Sequence, residues 1–134
     1  MKRIRVIVSL LLCITFCSYA LGEEKKNLNI VFIGNSITQG ALLEDPRHDA
    51  PPVKAALYLR KQPTGGTVRY SNQGVSGSTT LDFLPQNESL FPKVVQVADQ
   101  FRDETWATLI FSIMLGTNDS AITGPNGAPV SPSD

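Results

Sequence analysis

Three short runs of apolar and β-branched residues, 27–33, 67–71 and 108–115, stand out along the chain, each followed by a glycine or an asparagine. Runs of this length and composition read as buried strands. The third, Thr108 to Leu115, is apolar enough to be central in a sheet covered on both faces. The segments between them change period. Residues 38–43 fit a short helical turn, 44–52 a polar loop with prolines, and 53–61 a helix with Pro52 in its first turn and Pro63 beyond its end. Gly65-Gly66 marks a turn, and 72–78 a loop. In 91–103, Val94, Val97, Ala98 and Phe101 fall at i, i+3, i+4 and i+7, one face of an amphipathic helix. Strand and helix therefore alternate three times, the pattern of an α/β fold with helices on the faces of a parallel sheet.

The two ends follow other rules. Lys2, Arg3 and Arg5 precede an almost wholly apolar stretch, 6–16, with small residues at Ser18, Ala20 and Gly22. That is the layout of a secretory signal peptide cut after Ala20 or Gly22, and the stretch is too short to favour a spanning helix. Residues 1–22 are read as the leader and 23–134 as the N-terminal part of a folded domain, secreted or periplasmic and without stable membrane insertion. At the other end Gly124, Pro125, Asn126, Gly127 and Pro129 make a loop, and Ser131-Pro132-Ser133-Asp134 has the cap and first-turn proline of a helix start. Three strands are few beside the about five of a typical sheet, so the chain reads as the front of a larger domain with an incomplete sheet.

Removing the leader leaves nine Lys and Arg against twelve Asp and Glu, a formal net charge of −3. That balance points away from nucleic acid and from anionic membrane surfaces as partners. Cys13 and Cys17 both lie in the leader, so the exported domain carries no disulfide and no thiol chemistry. No His/Cys cluster has metal-ligand spacing, and no metal or other cofactor is expected.

The candidate chemistry sits where the strands end. Gly34-Asn35-Ser36-Ile37-Thr38 follows the first, Asn72-Gln73-Gly74-Val75-Ser76-Gly77 the second, and Gly116-Thr117-Asn118-Asp119 the third. In an open parallel sheet all three junctions share one edge, and ligands gather there. Acyl transfer needs a nucleophile and several donors aimed at the developing oxyanion. A serine, a glycine amide and an asparagine side chain supply such a set. Each also has a plain structural use: Ser36 or Thr38 as a helix cap, Gly77 as a turn residue, Asn118 in an Asx turn.

Together, in this order, the three junctions resemble the conserved blocks of the SGNH, or GDSL-type, hydrolases. The resemblance runs from the first strand to the end of the chain. It implies a three-layer αβα, flavodoxin-like fold and a serine ester hydrolase without cofactor. Ser36 is then the nucleophile, and its amide, that of Gly77 and the Asn118 side chain form the oxyanion hole. Asn35 stands where the family most often has aspartate, a minor change because asparagine also hydrogen-bonds a nearby turn. The family's last block, an Asp-x-x-His carrying the base and its orienting acid, belongs near the domain's C-terminus and is expected beyond Asp134. By itself the 134-residue chain should then be nearly inactive.

Rival readings fit less well. A nucleophile elbow wants Gly-x-Ser-x-Gly, and Thr38 stands at its second glycine. A phosphate loop wants a lysine that Gly34–Gly40 lacks. His48, the single histidine, falls in Asp45-Pro46-Arg47-His48-Asp49 and reads as an exposed loop residue; Arg47 and His48 are candidates for lining a substrate cleft rather than for catalysis. Around Phe111 to Val130 the chain looks like secreted bacterial members acting on carbohydrate esters. O-acyl groups, acetyl first, on sialic acids or polysaccharides are therefore the expected substrates. A lysophospholipase or thioesterase of the same family is the alternative within enzymes, and a catalytically incomplete, carbohydrate-binding relic the alternative outside them.

Overall fold

The computed structural model describes residues 24–121. The expected leader and the loop and helix start after Ala121 lie outside the described residues. The elements run β1 (Lys26–Gly34), α1 (Ser36–Gln39), α2 (Pro46–Asp49), α3 (Pro51–Arg60), β2 (Gly65–Gly74), a 3₁₀ turn at Leu81–Phe83, α4 (Phe91–Arg102) and β3 (Thr108–Met114). The three strands form a parallel sheet in the order β2-β1-β3.

β1 is central because its side chains are apolar on both faces of the pleat. Ile30 points to one side, where it packs with Val68 of β2 and Ala56 of α3. Val31 and Ile33 point to the other, against Val94 and Phe101 of α4. Successive residues of a strand face opposite ways, so one run of apolar residues serves two cores and the sheet is covered by a helix on each side. The amphipathic face read from the sequence at Val94, Val97 and Phe101 is the face α4 buries. This is the αβα, flavodoxin-like arrangement expected.

Four readings need correction. β3 is an edge strand among the described residues, pairing with β1 alone. Its apolar residues remain exposed, Ile113 at 66% and Phe111 at 47%, and a hollow of about 350 Å³ opens between β3 and α4. An apolar run marks a strand able to be buried, but its place in the sheet depends on which neighbours exist. The polar loop 44–52 contains α2 and the start of α3. Asp45 caps α2 by accepting from the Arg47 amide, and Pro46 and Pro51 each open a helix. α1 begins at Ser36 rather than Thr38. β2 extends to Gly74 because Asn72, Gln73 and Gly74 stay in register with Phe32, Ile33 and Gly34.

Beneath the opposite end of the sheet Asn29, fully buried, donates to the Phe101 carbonyl and to Glu104 Oε2 at 2.9 Å. Arg69 completes the group by pairing with Glu104 and lying 5.3 Å over the Phe101 ring. These contacts tie the end of α4 to β1 and β2, and so hold the frame from which the strand ends project.

Candidate active site

The register decides where the three junctions lie. Gly34 of β1 pairs with Gly74 of β2 and with Met114 of β3, so all three strands stop at one level. The segments that follow emerge along a single edge, as expected for ligand sites in such sheets.

At the first junction the chain turns sharply. Asn35 is buried, and its Oδ1 accepts from the Ile37 amide at 3.1 Å, capping α1 and placing Ser36 at the helix's first position. The asparagine found in place of the usual aspartate thus makes the cap. Gly34 allows the turn because a Cβ there would collide with Thr38 Oγ1 and lie 2.9 Å from the Met114 carbonyl. At Gly40 the chain leaves α1 in the left-handed region, φ 78°.

The second junction is fastened to the first. The Ser76 amide donates to Gln39 Oε1 at 2.8 Å, and Asn72 Nδ2 donates to the Thr38 carbonyl at 2.9 Å. Ser78 Oγ lies 3.2 Å from the Gly34 carbonyl and 2.8 Å from that of Val75. Gly77 takes φ 80°, a conformation that glycine adopts without cost. Among the described residues, neither the Ser36 amide nor the Gly77 amide has a hydrogen-bond acceptor.

The third junction is fastened to the second in turn. Asn118 Nδ2 donates to the Ser78 carbonyl at 2.8 Å, and the other hydrogen of that amide has no acceptor among the described residues. Asp119 Oδ1 accepts from the Thr80 amide at 2.9 Å and from the Thr80 hydroxyl. Burial pushes the Asp119 carboxyl up, but hydrogen bonds from Thr80 and from the Asp119 and Gly116 backbone together outweigh it and hold the group below its ordinary value. The structure therefore brings the Ser36, Gly77 and Asn118 segments into one hydrogen-bonded assembly.

Two hollows flank that assembly. One of about 230 Å³ is lined by Ser36, Ile37, Gly40, Ala41, Leu42, Leu43 and Pro51. The other, about 560 Å³, runs along Gly77 and includes Ser76, Ser78, Thr79, Asp82, Asn87 and Ser89. Arg47 and His48 line neither. They stand on α2, where His48 Nδ1 lies 2.6 Å from Asp45 Oδ2. Hydrogen bonding from His48 is the chief reason the Asp45 carboxyl sits below its ordinary value. Trp106 is half-exposed at the far end of β3, and its carbonyl accepts from Asn27 Nδ2.

Sequence reading passed over Gln39, Ser78 and Thr80, whose roles lie in partners about forty residues away and leave no local signal. A pairing of His48 with Asp45 or Asp49 was legible, and the structure gives it to Asp45. Asp45-x-x-His48 has the family's acid–base spacing and forms a carboxylate–imidazole contact, in a part of the chain where the resemblance does not place that block.

Among the described residues no group of three or more His, Cys, Asp or Glu is arranged to hold a metal ion, and no helix is long and apolar enough to cross a membrane. Searches of curated proteins and of solved structures find no match. The family profile described as GDSL-like Lipase/Acylhydrolase matches residues 30–133, from the middle of β1 past all three junctions. The chain therefore belongs to the GDSL-like lipase/acylhydrolase family, a family of ester hydrolases.

Proposed function

We propose that the domain is a secreted serine esterase that removes O-acyl groups from carbohydrates, with Ser36 as nucleophile. One observation carries the reading: the serine, Gly77 and Asn118 segments are hydrogen-bonded to one another on one sheet edge, with the Ser36 and Gly77 amides lacking acceptors among the described residues. Ser36 Oγ attacks the ester carbonyl, forming the acyl–oxygen bond. The oxyanion is received by the Ser36 and Gly77 amides and the second Asn118 hydrogen. The bond to the alcohol breaks, the serine proton passes to the departing alkoxide, and water repeats the sequence to release the acid. The hollow along Gly77, where Ser76, Thr79, Asp82, Asn87 and Ser89 stand beside Val75, Leu81 and Leu90, supports a polyol with an apolar face on the alcohol side.

His48 is the single histidine and lines neither hollow, so these 134 residues place no histidine beside Ser36. A serine hydrolase lacking a triad member keeps about 10³–10⁴-fold catalysis over water through its oxyanion hole and binding. The chain alone should show that residual rate on p-nitrophenyl acetate, and the nucleophile is read from the covalent step: prolonged exposure should leave an acetyl group on Ser36 that mass spectrometry detects and that Ser36→Ala lacks. An acetyl adduct that falls on another residue, or that persists in Ser36→Ala, overturns the nucleophile assignment. O-acetylated sialic acid and acetylated xylan then test the alcohol side, and tight sugar binding without any turnover favours a carbohydrate-binding relic. The apolar hollow at Ser36 favours a second reading, a lipid ester or thioester as substrate; release of acid from a lysophospholipid or acyl thioester but not from acylated sugars identifies it.

A further inference from the structure

We infer that Asp82 sets the charge of the alcohol that the hollow along Gly77 accepts: the sugar carrying the ester is neutral or amine-bearing, and a carboxylated sugar such as a sialic acid is rejected. The inference rests on the reading of that hollow as the alcohol side of the site. Among the described residues that line it, Asp82 is the one with a charged side chain. Its Oδ2 accepts from the Thr79 amide at 2.7 Å and from the Thr79 hydroxyl at 2.9 Å, while Oδ1 accepts from no group among the described residues. The carboxylate is therefore held in place before a ligand arrives, with one oxygen open to a donor. A sugar hydroxyl donating to it makes a charge-assisted hydrogen bond, about twice as strong as a neutral one.

No opposite charge balances Asp82. Lys93, the nearest basic residue along the chain, lies outside the lining, and after Arg102 the sequence holds no Lys or Arg. The start of α4 borders the hollow, but Asn87 Oδ1 already accepts from the Ser89 amide at 2.9 Å and the Leu90 amide at 2.8 Å, and Pro92 has no amide hydrogen. Donors that an anion would use at a helix start are thereby taken. A sugar carboxylate seated about 4 Å from Asp82 should bind about fivefold more weakly than its neutral counterpart even at the dielectric of water, and more weakly still where water is excluded. Val75, Leu81 and Leu90 leave room for the apolar face of a pyranose beside the charge. The hollow thus favours acylated neutral polysaccharides over acylated sialic acids.

Methyl glucoside, methyl glucuronide and methyl glucosaminide share one ring and differ in charge. Each is titrated into the full 134-residue chain while the backbone amide signals of Ser76, Gly77 and Ser89 are followed by NMR. The glucoside and the glucosaminide should bind at least about fivefold more tightly than the glucuronide, and Asp82→Asn should shrink that gap below about twofold. Asparagine retains an oxygen for the Thr79 amide and hydroxyl, so the local fold is kept. Asn87→Asp, whose carboxylate can still accept from the Ser89 and Leu90 amides, should widen the gap instead. A glucuronide that binds as well as the glucoside, or a gap unchanged in Asp82→Asn, overturns the inference and leaves the carbohydrate reading standing. Signals that move with none of the three sugars overturn both.

Discussion

Asn118 Nδ2 donates a hydrogen bond to the Ser78 carbonyl at 2.8 Å, linking the end of β3 to the segment after β2 across forty residues. The same side chain therefore has a structural partner and a proposed catalytic one. Asn118→Ala should cost about 1–3 kcal/mol of stability by leaving the buried Ser78 carbonyl without this donor. If its second hydrogen serves the oxyanion, the same change should cut turnover by about 10²–10³. Asn118→Asp should be less stable than Asn118→Ala at neutral pH, because a carboxylate then faces a carbonyl. Urea unfolding beside the hydrolysis assay reads both effects, and an active Asn118→Ala removes Asn118 from the oxyanion hole.

The turn at Gly34 makes a second expectation. Gly34→Ala places a methyl into Thr38 Oγ1 and close to the Met114 carbonyl, and should destabilise the chain by about 1–3 kcal/mol. Gly34→Ala with Thr38→Ala should recover part of that loss and not all, since the Cβ at position 38, 2.6 Å away, and the Met114 contact both remain. Full recovery in urea melts would mean that the Thr38 hydroxyl alone makes the turn tight.

Asp45 and His48 offer a clean test of the base. His48 lines neither hollow, so His48→Ala should change p-nitrophenyl acetate hydrolysis by less than about twofold, whereas loss of a true general base typically costs about 10²–10⁴. A fall of that larger size, with a pH profile lost in the variant, would make the Asp45–His48 pair the catalytic dyad of this chain.

Acid should loosen the frame through Glu104. Its hydrogen bond from Asn29 is the leading cause holding its carboxyl below the ordinary 4.5, opposed by desolvation and aided by Arg69. A folded value below the unfolded one means that the unfolded chain binds more protons in that window, so stability rises with pH there. The contribution is present above about 4.5 and is lost as pH falls through the lower folded value; Asp45 and Asp119 act with the same sign. Urea midpoints should fall steadily from pH 5 to pH 3, and Glu104→Gln should flatten part of that slope. A slope unchanged by Glu104→Gln would place the acid sensitivity elsewhere.

Several features were fixed by local pattern. The alternation of strand and helix, the two-faced burial of β1 at Ile30, Val31 and Ile33, and the buried stripe of α4 each follow from the spacing of neighbours, a property carried by the residues themselves. The placing of Ser36, Gly77 and Asn118 after successive strands was legible for the same reason. Other features required distant partners. Gln39 holding Ser76, Asn118 holding Ser78, the edge position of β3 among the described residues and the apolar hollow that Leu43 and Pro51 help to line depend on the register of three strands and on the path of the chain between α1 and α3. Periodicity is set by adjacent residues, whereas a hydrogen bond spanning forty residues exists only after the sheet has brought its two ends to the same level.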